Sequence, residues 1–179
     1  MSLDPFAFDA QSFNQLTKFL CFEGGSLHTD GEGTLLVTEE CLLNPNRNPQ
    51  LSKDTIESIL KTCLGVSKVI WLPDGLDADE DTNGHVDNFC CFVKPGHVVL
   101  AWTDDKENDE ENYKRCRTAE AIFSSTTDAK DRKIIVHKLG LPPPLVSKMD
   151  KICFSYTAFH PHPRLSMSVS ITPKKKRKA

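Results

Sequence analysis

Strand-like and helix-like patterns alternate along the middle of this chain, and that alternation limits the fold more than any other feature. Thr34–Thr38 (TLLVT) reads as a strand of β-branched and aliphatic residues. Ser52 then offers a helix N-cap, Ile56, Ile59, Leu60, Cys63 and Leu64 recur at helical spacing, and Gly65 can close the segment. Residues 69–72 form a short strand ended by Pro73. Residues 89–93 and 98–103 flank Pro95-Gly96 and predict a β-hairpin. A helix through Tyr113, Cys116, Ala119, Ile122 and Phe123 follows, then a strand over 133–139 stopped by Pro142, Pro143 and Pro144. The order strand, helix, strand, hairpin, helix, strand places the chain in the α/β or α+β class.

Ahead of the first strand, Gly24, Gly25, Gly31 and Gly33 punctuate a loop that starts at Glu23. Such a loop needs unusual backbone angles or a close approach to something else. It is not a phosphate loop, because neither G-x-x-x-x-G-K-[ST] nor G-x-G-x-x-G between a strand and a helix occurs. Glu23, His85 and Asp87 stand out as candidates for chemistry. His85 and Asp87 are two residues apart, so on a strand both side chains would share a face. A histidine beside a fixed carboxylate can serve as a general acid and base. Two carboxylates and a histidine around one pocket suit a guanidinium, whose fork of N–H donors matches carboxylate oxygens pairwise.

Plainer readings stand beside these. An H-x-D pair is commonly a hydrogen-bonded loop feature, and glycine-rich loops are usually turn chemistry. His28, Asp30, His85 and Asp87 have metal-ligand side chains, yet neither H-E-x-x-H nor C-x-x-C accompanies them, so no metal is expected. His28 and His85, each followed two residues later by aspartate, lie 57 residues apart and suggest an internal repeat. A repeat of that period suits propeller blades or a pseudo-symmetric barrel. The pair at His160 and His162 reads as part of an irregular tail, and a weak helical stripe runs through Leu16, Phe19 and Leu20.

Composition narrows the setting. The seven cysteines are an odd number without a regular framework, and the N-terminus lacks the basic region of a secretory signal. Reduced thiols in the cytoplasm are the expectation. No apolar run approaches the ~18 residues of a membrane span. The net charge is −3, and five of the 22 basic residues crowd into PKKKRK at 173–178, leaving an acidic body. An acidic body repels phosphates and suits a cationic ligand, so no nucleic-acid partner is expected. The PKKKRK run has the form of a nuclear-import signal, and its bland alternative is a solvated tail.

Residues 22–49 (FEGGSLHTDGEGTLLVTEECLLNPNRNP) and 70–105 (IWLPDGLDADEDTNGHVDNFCCFVKPGHVVLAWTDD) closely resemble agmatine deiminase, especially its plant form. The likeness spans roughly residues 22–145, between unmatched and irregular segments at 1–21 and 146–179. It implies a partial pentein-type α/β propeller, about two of five blades. It also implies hydrolysis of agmatine to N-carbamoylputrescine and ammonia, on the route to putrescine, without metal or organic cofactor. In that family a cysteine thiolate attacks the guanidinium carbon, a histidine moves protons and carboxylates hold the guanidinium nitrogens. The resemblance gives His85 the acid/base role and makes Asp87 a substrate clamp. Glu23 would orient the histidine or bind the substrate, and Asp81 is a lesser candidate for substrate contacts.

Two family motifs have no counterpart here: an N-terminal R-D-x-G-P and the G-G-G-x-x-H-C that carries the nucleophile. No nucleophilic cysteine is identified among the seven. The chain alone is therefore expected to be a truncated form without turnover, its open blade edges favouring self-association. The competing expectation is a deiminase-derived interaction protein without catalysis.

Overall fold

The computed structural model describes residues 20–77 and 79–142, with the backbone of two further strands at 153–156 and 169–172. The run at 173–178, the pair at His160 and His162, and Leu16 and Phe19 lie outside the described residues.

The described chain repeats one plan twice. A 3-10 turn, Gly24–Ser26, leads into β1 (His28–Thr29), which pairs antiparallel with β2 (Thr34–Thr38). After a short helix α1 (Glu39–Leu42), helix α2 (Lys53–Leu64) carries the chain to β3 (Lys68–Leu72), parallel to β2. The second unit opens with the short helix α3 (Val86–Phe89) and the hairpin of β4 (Cys90–Lys94) and β5 (His97–Trp102). Helix α4 (Glu110–Ser125) then returns the chain to β6 (Ile135–Gly140), parallel to β5. Each unit is a small mixed sheet with one long helix, so the fold is mixed α/β.

Local chemistry accounts for the elements. The Ser52 side chain accepts the Thr55 N–H at the start of α2, and Gly65 takes a left-handed φ of 67° at its end. Ile56 and Leu60 on its inner face are fully buried. β2 is buried along its whole length because it sits between two cores. Leu35 and Val37 face α2 beside Leu42, Ile56 and Leu60, while Leu36 faces the other way among Ile70, Val98, Leu100 and Phe123. Strand alternation therefore sends apolar side chains into both layers, which explains an unbroken TLLVT. His28 fastens the two sheets together, its Nδ1 accepting the Phe92 N–H at 3.2 Å.

Three expectations change. His85 and Asp87 do not lie on a strand: His85 immediately precedes α3 and Asp87 lies within it. The repeat is real in topology but in another register, because His28 opens β1 whereas His85 stands ahead of a helix. The tail is not wholly irregular either. β7 (Cys153–Tyr156) and β8 (Val169–Thr172), both rich in residues that favour strands, form a two-stranded antiparallel sheet.

Candidate active site

The loops that open the two units meet, and their leading residues touch. Glu23 precedes the 3-10 turn and His85 precedes α3. Glu23 Oε2 lies 3.2 Å from His85 Nε2 across 62 residues of sequence. An ionised carboxylate can only accept a hydrogen bond, so the imidazole proton in this contact sits on Nε2. The Glu23 carboxyl is held below the usual carboxylate range, chiefly by the hydrogen bond from Arg47 and less by that from His85, with partial burial opposing both.

The double glycine has a direct spatial cause. A Cβ on Gly25 would fall 2.5 Å from His85 Nδ1 and 2.7 and 2.8 Å from the two Asp87 carboxylate oxygens. Only glycine lets the backbone pass this close to the pair. His85 is consequently framed on both ring edges, by Glu23 at Nε2 and by Gly25 and Asp87 at Nδ1.

Asp87 is the unsatisfied member. Its Oδ1 is buried without a hydrogen-bond partner and lies 3.9 Å from His85 Nδ1. Burial pushes the carboxyl up to about 6, against the favourable field of His85, and the nearby Asp79 charge adds to the rise. An apolar recess lined by Cys91, Val99, Ala101 and Leu139 opens beside it. A carboxylate with one buried oxygen that lacks a donor can receive a cation that supplies N–H groups.

The acidic loop packs against the site through Asp79. Asp81 is exposed on the turn. Asp79, by contrast, is buried and accepts the His85 backbone N–H at 3.0 Å, the Asn88 Nδ2 at 3.0 Å and the Thr82 hydroxyl. Gly84, at φ 75°, turns the chain sharply just before His85, and its carbonyl accepts the Thr38 hydroxyl at 2.6 Å. Asp79 falls inside the segment 70–105 that carries the family resemblance, but its place in an acidic stretch reads as solvated loop.

Arg47 was also missed in the sequence. It donates from Nε to Glu23 Oε2 at 2.8 Å and from Nη2 to Glu23 Oε1 at 3.1 Å, a two-pronged fork. It lies in the N-P-N-R-N-P break, which by itself signals only a turn.

Among the described residues, Glu23, Cys41 and His85 each place one donor atom within 4.8 Å of the others. A metal there would have to displace Arg47 from Glu23. The set of His28, Asp30, His85 and Asp87 does not assemble. His28 already serves Phe92 and is pushed by burial down to about 4, and Asp30 Oδ1 accepts the backbone N–H groups of Glu32 and Thr34. Cys41 is fully buried beside His85 and its thiol is pushed by burial up to about 12. At neutral pH about one such thiol in 10⁵ is ionised, so it is a poor nucleophile.

A family model described as Porphyromonas-type peptidyl-arginine deiminase matches residues 3–163, and the chain belongs to that family. The chain is 60% identical over 130 residues to the agmatine deiminase of Pseudomonas savastanoi pv. phaseolicola, covering 73% of this chain and 34% of that protein. To the agmatine deiminase of Medicago truncatula it is 58% identical over 137 residues, 76% of this chain and 36% of the relative. The solved agmatine deiminase of Enterococcus faecalis superposes with a TM-score of 0.62 at 50% identity, over 67% of this chain and 32% of that one. A C. jejuni agmatine deiminase variant with substrate bound gives 0.65 at 28% identity, over 76% and 40%. The chain thus spans about a third of the length of the curated relatives it matches. These likenesses lend nothing to the alternative of a non-catalytic interaction protein.

Proposed function

We propose that this chain forms part of the catalytic site of an agmatine deiminase, its two units being two blades of a five-bladed pentein ring. The observation that carries the reading is the Glu23–His85–Asp87 constellation, with an oriented imidazole beside a carboxylate whose buried Oδ1 has no partner. It is supported by identity near 60% to agmatine deiminases across the same segment.

In this reading the agmatine guanidinium donates N–H groups to Asp87, which holds its carbon in place for attack. A thiolate adds to that carbon, and His85, entering this step as an imidazolium held at Nε2 by Glu23, gives its Nδ1 proton to the departing nitrogen so that ammonia leaves. The resulting amidino thioether is attacked by water as His85 removes a proton. The thiolate is regenerated and N-carbamoylputrescine is released. Glu23 orients His85, and three of its roughly four acceptor sites are already taken by Arg47 and His85. Cys41 is not the thiolate, since burial pushes its thiol up to about 12 and keeps it protonated at neutral pH.

The test is ammonia and N-carbamoylputrescine release from agmatine by the protein that carries this segment. His85→Ala should lower kcat by about 10²–10⁴-fold, the usual range for a lost general acid and base. Turnover that survives His85→Ala unchanged would overturn the assignment.

A further inference from the structure

Glu23 poses a physical problem. Its side chain is 49% exposed, and an exposed glutamate has several rotamers and water to hydrogen-bond with. A single 3.2 Å contact to His85 does not hold such a side chain in one place. Arg47 can, because its own side chain is only 7% exposed and its guanidinium is fixed on every side.

Besides the fork on Glu23, Arg47 Nη2 donates to the Thr82 carbonyl at 2.9 Å and Nη1 to Asn83 Oδ1 at 2.7 Å. Thr82 and Asn83 belong to the same loop as Asp79, which holds the His85 backbone. One guanidinium therefore ties together the carboxylate that addresses the imidazole and the loop that carries the imidazole. A lysine could not replace it, since a single ammonium cannot span two carboxylate oxygens and two loop acceptors in one plane.

We propose that Arg47 is a positioning residue of this site, an internal guanidinium that locks Glu23 onto His85 Nε2 and keeps it from the substrate. The proposal rests on the deiminase reading for its functional meaning. With three Glu23 acceptor sites taken by Arg47 and His85, a substrate guanidinium meets Asp87 as the carboxylate with a buried, unpartnered oxygen, and docks on the Nδ1 side of the ring. The chain uses its own guanidinium to distinguish two carboxylates that sequence alone leaves equivalent.

The test reads the His85 ring directly and needs no turnover. In the ¹⁵N-labelled 179-residue chain, long-range ¹H–¹⁵N correlation reports which ring nitrogen carries the proton at a pH where the imidazole is neutral. Wild type should show the Nε2–H tautomer. In Arg47→Gln the ratio of Nε2–H to Nδ1–H should fall about tenfold, the scale of one charge-assisted hydrogen bond. Arg47→Lys should fall with it, since it keeps the charge and loses the fork. Adding Arg47→Gln to Glu23→Ala should change nothing further, because Arg47 acts through Glu23.

An unchanged tautomer ratio in Arg47→Gln, a wild-type ratio in Arg47→Lys, or an added effect in the Glu23→Ala background would each overturn the proposal. If Arg47→Gln does not fold, Arg47→Lys carries the test. If neither folds, Arg47 is a packing residue and the proposal fails. Failure of the deiminase reading would show separately, as agmatine turnover indifferent to His85→Ala.

Discussion

Glu23 and His85 occupy the same station in two successive units of the fold, each the last residue before the short helical turn that feeds the first strand. Their side chains meet at 3.2 Å although 62 residues separate them. Topological repetition thus brings one polar side chain from each unit to a shared point. The residue types differ between the copies, carboxylate in one and imidazole in the other, and that difference creates a hydrogen-bonded pair.

Gly25 should be the least replaceable glycine near the site. Gly25→Ala places a methyl within 2.5 Å of His85 Nδ1 and against both Asp87 oxygens, whereas a Cβ on Gly24 meets nothing within 4 Å. We expect Gly25→Ala to cost about 1–3 kcal/mol in urea unfolding and, in the protein that carries this segment, at least about 10² in agmatine turnover under the proposed function. Gly24→Ala is the control and should leave both nearly unchanged. Equal tolerance at the two positions would mean the close approach does not exist.

Asp87 makes a specific contribution to pH dependence. Its carboxyl titrates near 3.8 when unperturbed and is pushed to about 6 in the folded chain, so the folded state holds the proton more tightly. Its stabilising contribution is therefore complete below about 4 and is lost as pH rises through about 6. The difference corresponds to a ceiling of about 3 kcal/mol. Urea unfolding at several pH values should show wild type losing stability relative to Asp87→Asn across that window, with the curves parallel above it. Agmatine affinity should move the other way, rising through the same window as the carboxylate becomes available to the cation.

Asp79 should matter more for stability than its place in an acidic loop suggests. It is 5% exposed and accepts from the His85 N–H, Asn88 Nδ2 and Thr82. Asp79→Ala leaves those donors unpaired, and we expect a loss of about 2–4 kcal/mol in thermal or urea unfolding. Asp81→Ala, on the exposed turn, should fall within about 0.5 kcal/mol of wild type.

Cys41 should be inert despite its position. With a thiol pushed to about 12 and no exposure, it should resist iodoacetamide at neutral pH while the exposed Cys21 is alkylated first. Peptide mapping by mass spectrometry reads the order. Early labelling of Cys41 would reopen it as a nucleophile.

Much of this protein is determined locally and is legible in the chain. Ser52 and Gly65 bound α2 because a cap and a left-handed terminus are chemical needs of the helix itself, and Pro95-Gly96 turns the hairpin for the same kind of reason. Glu23, His85 and Asp87 could be singled out because uncommon polar residues in glycine-rich loops leave a mark in one dimension. The register of the repeat, the helical setting of Asp87, and the parts played by Arg47 and Asp79 could not. An arginine in a turn and an aspartate in an acidic loop look like solvated residues until two units pack. Only then do burial and the pairing of distant polar groups decide that one holds Glu23 and the other holds His85, because hydrogen bonds and desolvation depend on distance in space and not along the sequence.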